Sequence, residues 1–169
     1  MMREVRKFDP EAVRGLYAKT KAEATQRVLD AAANGLDAVV VHPSGIIGPN
    51  DWGSSHTAQM IIDYFNGKLQ TCVEGGYDFV DVRDVAEGTI AAAEKGKSGE
   101  CYILSNRYCS VEELFPEMQK MSGRKKASLL PLWLAKLTAP LAELYYKARK
   151  KPALYTPYSL YTLESNANF

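Results

Sequence analysis

Residues 36–49 read LDAVVVHPSGIIGP. Leu36 to Val41 is a short, β-branched run with almost no polar alternation, the pattern of a strand covered on both faces of a parallel sheet. From His42 to Pro49 two prolines and two glycines follow closely, and they predict an irregular loop. A loop at the carboxyl end of a parallel strand is where α/β folds bind ligands.

The flanks support an α/β reading. Tyr17 to Ala33 is rich in strong helix formers, and Asn34-Gly35 supplies a left-handed stop. Ahead of it, Asp9 can cap, Pro10 suits a first turn and Phe8 can staple onto Val13; Gly15 then favours a second helix start near Leu16. Downstream, a helix is expected over Ser55–Asn66, strands over Gln70–Val73 and Tyr77–Val80, a helix over Asp84–Lys95 and a strand over Glu100–Leu104. Ser110 and Glu113 form a capping box for a helix through Met121, ended by Gly123. Beyond Lys125 the apolar segments Pro131–Lys150 and Pro157–Leu163 are punctuated by proline and read as helices with no strand between them.

The chain has 169 residues, 46% of them hydrophobic and 24% charged, with a net charge of +1. This is a soluble globular mixture, and its charge implies no nucleic-acid partner. Cys72, Cys101 and Cys109 lack metal-ligand spacing, and an odd count does not fit a disulfide framework, so a reducing, cytoplasmic setting is expected. His42 and His56 have no third ligand nearby, so no metal site is expected. The N-terminus lacks the apolar core of a signal peptide. Leu129 to Leu144 is interrupted by Lys136 and Pro140 and falls short of the ~18 apolar residues of a spanning helix, so no integral membrane segment is expected.

Tyr17 and Lys21 stand four apart, on one face of the alanine-rich helix. A positive charge beside a phenol favours phenolate and makes a better proton shuttle, the chemistry needed to protonate or deprotonate an alcohol or carbonyl oxygen. The 10 tyrosines and 13 lysines of the chain give about one such spacing by chance, and Tyr146 with Lys150 matches too. Tyr146 sits late in an apolar segment whose Arg149-Lys150-Lys151 can simply complement a helix dipole. Trp133, Leu134, Leu137, Leu141, Leu144 and Tyr145 recur at helical spacing and read as a core-facing stripe, with a pocket lining or a membrane surface as the alternatives.

YAKTK at 17–21, VVVHPSGIIGP at 39–49 and DFVDVRDVAEG at 78–88 resemble, in order and spacing, the second half of the extended short-chain dehydrogenases/reductases. The nearest flavour is the dihydroflavonol-reductase-like and NAD-dependent epimerase/dehydratase group. By that resemblance Tyr17 is the catalytic acid/base, and Lys21 activates it and holds the nicotinamide ribose. The strand-end residues Pro43, Ser44, Gly45 and Ile46 approach the nicotinamide of NAD or NADP. Arg83 faces the substrate pocket, while Asp81 and Asp84 fix the loop and cap the next helix. Trp52 and His56 follow the strand-end loop and read either as a border of the substrate pocket or as a lid packed on the core. The resemblance further implies a small-molecule substrate and a homodimer through the Tyr17-bearing helix.

The family's glycine-rich G-x-x-G-x-x-G turn, which holds the dinucleotide pyrophosphate, does not occur in this sequence, and residues 1–16 contain no serine or threonine to serve as the family's third catalytic residue. The expected fold is therefore α/β: the carboxyl-terminal part of a Rossmann-like parallel sheet fold with a small, mostly helical substrate lobe. Residues 1–124 would form the partial Rossmann-like domain and 125–169 the lobe, interleaved with segment 50–76. The expected function is that of a fragment of an NAD(P)-dependent oxidoreductase acting on a carbonyl or secondary alcohol, or of a nucleotide-sugar epimerase/dehydratase. The alternative is a non-catalytic binding or regulatory module that keeps the fold without the dinucleotide-binding half.

Overall fold

The structure, a computed structural model, describes residues 4–53, 55–125, 127–148 and 160–161. The chain divides into two compact units that it visits alternately. Residues up to Gly48 join Phe79–Asn106 in the first, and Pro49–Asp78 joins the residues from Arg107 onward in the second.

In the first unit a single 3-10 turn, Pro10–Ala12, is capped by Asp9, whose carboxylate accepts from the Glu11 amide. Gly15, at φ 90°, then ends the entry segment, and helix α1 (Leu16–Ala33) begins. Strand β1 (Val40–Pro43) pairs in parallel with β5 (Cys101–Leu104), Val40 opposite Cys101 and Pro43 opposite Leu104. The strand expected from Leu36 thus starts four residues later. Upstream of Val40 the backbone is held instead by Ser98, whose Oγ donates to Leu36 O and accepts from Ala38 N. Val40 and Val41 are half-buried rather than fully covered. Helix α3 (Val82–Lys95) packs against both strands.

The loop expected over His42–Pro49 is partly regular. Gly45–Ile47 forms strand β2, parallel to the last half of β4 (Gly76–Asp81), with Ile46 opposite Val80 and Ile47 opposite Asp81. The two β-branched isoleucines suit a strand, and pairing with β4 outweighs the glycines around them. Along β4 burial alternates strictly, so Asp78 and Val80 face inward while Tyr77 and Phe79 are half-buried.

In the second unit helix α2 (His56–Phe65) is capped by Ser55, whose Oγ accepts from Ala58 N at 3.2 Å. The first half of β4 neighbours β6 (Arg107–Ser110), which leads directly into α4 (Val111–Ser122). Ser110 caps α4 through the Glu113 amide, and Gly123 closes it in the left-handed conformation. The core here is Tyr64 stacked on Phe115, ring centroids 5.4 Å apart, with Val111, Met118 and Ala127 around them. Helix α4 therefore packs with α2, within the second unit.

A further strand, β7 (Ser128–Leu130), pairs in parallel with β3 (Thr71–Val73) in the region read as helices alone. Helix α5 (Leu132–Ala148) follows. Its stripe corrects the sequence reading. Ala135 and Ala139 are buried against Val73 and Leu160, while Trp133, Leu137 and Leu141 are 68%, 70% and 72% exposed. Two residues along a helix turn the side chain through about 200°, so a face that packs closely on alanines turns these larger neighbours outward. The side chains of Leu144 and Tyr145 lie outside the described residues. So does most of the helix expected over Pro157–Leu163, of which Leu160 and Tyr161 are helical.

Candidate active site

Helix α1 presents Tyr17 in its first turn, 70% exposed. One turn later Lys21 brings its Nζ to 5.7 Å from the Tyr17 ring centroid, inside the ~6 Å reach of a cation–π contact. The turn is steadied by Thr20, whose Oγ1 donates to Tyr17 O at 2.9 Å, and by Lys19, which pairs with Glu11 at 2.7 Å.

Phe8 ties this helix to the strand end. Its amide donates to Gln26 Oε1 on α1 at 2.8 Å, and its ring packs on His42 of β1 with centroids 5.3 Å apart. Phe8 thus makes a longer-range contact that joins α1 to β1. Immediately after His42, the backbone of Ser44 donates to Leu104 O at 2.9 Å and continues the β1–β5 ladder into the turn. Pro43 closes β1, and Gly45 and Ile46 open β2, so Pro43–Ile46 is a tight junction between two paired strands. Gly48 ends the junction at φ +157°, where an added Cβ would lie 2.5 Å from Val82 Cγ1 at the start of α3.

Two polar side-chain atoms at this junction are buried without a partner, His42 Nε2 and Ser44 Oγ. Burial pushes the His42 imidazole below its ordinary value, so the ring stays neutral further into acid. The sequence marks Ser44 for its backbone and offers His42 no role beyond a metal ligand without a third partner. The one signal for their burial was the apolar run they interrupt.

Arg83 stands in the first turn of α3. Its guanidinium donates to both carboxylate oxygens of Asp81, at 2.8 and 2.6 Å, while the Arg83 amide donates to the same carboxylate at 2.8 Å. Hydrogen bonds from Arg83 hold the Asp81 carboxyl at about 2. Asp81 is the cap of α3, and Asp84 adds a second negative charge to its first turn. Trp52, 89% exposed, and His56, which opens α2, belong to the second unit. Among the described residues no group of three His, Cys, Asp or Glu could hold a metal ion, and no helix is long and apolar enough to cross a membrane.

Comparison with known proteins agrees on one lineage. Residues 3–105 match the sequence model of the NAD dependent epimerase/dehydratase family. The chain is 30% identical over 138 residues to sterol demethylase protein B of Methylococcus capsulatus, an alignment spanning 79% of this chain and 42% of that protein. The crystal structure of gox2253 superposes on 94% of this chain and 48% of its own, with a TM-score of 0.73 and 32% identity. PA4631, a nucleoside-diphosphate-sugar epimerase from Pseudomonas aeruginosa, shares the fold with a TM-score of 0.71 at 21% identity, over 93% of this chain and 56% of its own. The chain thus spans about half, or less, of the length of the proteins it resembles.

Proposed function

Because this chain belongs to the NAD dependent epimerase/dehydratase family, we propose that it carries the proton-transfer half of an NAD(P)-dependent active site that acts on a carbonyl or secondary alcohol. The observation that carries this reading is the Lys21 ammonium 5.7 Å from the ring of a solvent-facing Tyr17, at the start of the helix tied to the strand end.

Tyr17 gives its Oη proton to a substrate oxygen as the carbonyl is reduced, and takes it back when the alcohol is oxidised. Lys21 stabilises the phenolate through its charge and offers its remaining N–H donors to a ribose hydroxyl. The junction Pro43–Ile46 would hold the nicotinamide through its backbone, and the unpartnered Ser44 Oγ is a polar atom suited to such a ligand. NAD or NADP, when bound, supplies or accepts the hydride. These residues fit the nicotinamide and its ribose; the glycine-rich turn that fits the pyrophosphate is not among these 169 residues. In this reading Arg83, Trp52 and His56 contribute to substrate selection, and a nucleotide sugar and a smaller hydroxy-ketone pair are both within the chemistry.

Calorimetric titration of the 169-residue chain with NAD and with NADP is the first test. Binding that is lost in Lys21→Met supports a nicotinamide-ribose site on these residues. Failure to bind either, together with unchanged turnover of Tyr17→Phe in a longer form that contains the glycine-rich turn, refutes the proposal and leaves a non-catalytic module.

A further inference from the structure

We propose that the outer face of α5 is a docking surface for an anionic lipid bilayer. Trp133, Leu137 and Leu141 stand four apart, so they share one face of a 17-residue helix, and each is exposed by two thirds or more. The alanines Ala135 and Ala139 already satisfy the core on the opposite side, so the exposed face is not needed for packing the second unit.

The charge of this segment selects the partner. Residues 132–151 carry Lys136, Lys147, Arg149, Lys150 and Lys151 against the single acid Glu143, in a chain whose net charge is only +1. The positive excess is thus concentrated on and just after the helix with the exposed apolar face, and the rest of the chain is net negative. An apolar face bearing tryptophan and leucine, on a helix followed in sequence by a run of lysine and arginine, matches the composition of an interfacial helix that lies in the headgroup layer and draws on anionic lipid. A second copy of the chain would bring two basic segments together, which disfavours self-association through this face. Each basic residue near such a surface strengthens binding by about fivefold, and salt weakens it.

The test uses the whole 169-residue chain with Trp52→Phe, which leaves Trp133 as the sole tryptophan. It is mixed with vesicles of phosphatidylglycerol and phosphatidylcholine, or of phosphatidylcholine alone. The expected result is co-sedimentation with the anionic vesicles only, a blue shift of Trp133 emission and quenching by lipids brominated on the acyl chain. Leu137→Ser with Leu141→Ser should weaken binding about tenfold or more, and Arg149, Lys150 and Lys151→Ala by about fivefold per charge. The quenching measurement needs no further variant, so it decides the matter even if the serine pair perturbs folding. Absence of binding, equal binding to neutral vesicles, or a salt-insensitive dimer abolished by the serine pair would each overturn the proposal.

Discussion

Gly48→Ala should unsettle the junction that carries the candidate site, by an amount the geometry fixes. An alanine Cβ there would sit 2.5 Å from Val82 Cγ1, 3.2 Å from Val82 Cβ and 3.3 Å from the Val82 amide nitrogen. Ordinary contact begins near 3.4 Å, so Val82 must move by about 0.9 Å at its Cγ1. It has little freedom, because a β-branched side chain in a helix is nearly confined to one rotamer. Overpacking of this kind costs about 1–3 kcal/mol, and placing a side chain on a backbone at φ +157° adds about 1 kcal/mol. A sum of about 2–4 kcal/mol corresponds to a fall in Tm of roughly 4–16 °C at this chain length. Gly35→Ala isolates the conformational part, since it has φ +102° and nothing within 4 Å of the added Cβ, and should cost only about 1 kcal/mol. Adding Val82→Ala to Gly48→Ala removes the offending methyl and should recover part of the loss. Thermal melts followed by circular dichroism measure all three. If Gly48→Ala costs no more than Gly35→Ala, or if Val82→Ala brings no relief, the packing argument is wrong.

Tyr17→Phe should leave the melt of the chain unchanged, because the residue is exposed, and should lower turnover in the catalytically complete form by about 10²–10⁴; steady-state rates check this. His42 should make stability pH-dependent. Its native pKa lies below the ordinary 6.5, so the unfolded chain takes up a proton first, and stability is full above 6.5 and falls as pH drops towards the native value. Urea titrations across that range should show the fall, and His42→Phe should remove it. The Asp81 carboxyl should titrate near 2 by carbon-detected NMR, so its pairing with Arg83 holds until pH falls through that value; in Arg83→Met the midpoint should return towards the ordinary carboxylate range. Ser110→Ala, which removes the cap on the Glu113 amide, should destabilise the second unit by about 1 kcal/mol, and Ser110→Asp should restore it.

What was legible in the sequence was local. The alanine-rich run fixed α1 and the Tyr17–Lys21 contact, because residues four apart on a helix must share a face. Ser110 and Asp9 were readable as caps from their types alone, and both accept the amides expected of them. Of the two acids expected around the start of α3, Asp81 is the cap and Asp84 lies in the first turn, because the helix starts two residues before the expected segment. Strand β2 lies in a stretch whose prolines and glycines read as a loop, and β7 directly precedes Pro131 in a stretch that reads as helical; each exists only through a partner distant in the chain. The reversal of α5 was hidden for a related reason. An alanine reads as neutral in a pattern, yet in the fold its small size lets a helix approach closely, so the large apolar residues were assigned inward. The unpartnered atoms of His42 and Ser44 are products of tertiary burial, which spacing does not encode.

The alternation of the chain between its two units bears on how it is made. Residues emerge from a ribosome in order, at about 5–20 per second, and neither unit is one continuous stretch. When Gly48 has emerged, β1 still lacks β5, which lies some sixty residues further on. When Asp78 has emerged, Tyr64 still waits for Phe115 to cover it. For much of synthesis the nascent chain therefore displays two unfinished cores, and the first is closed only after the 49–78 part of the second has been laid down. A chain stopped between Asp78 and Cys101 would hold β1 without β5 and Tyr64 without Phe115.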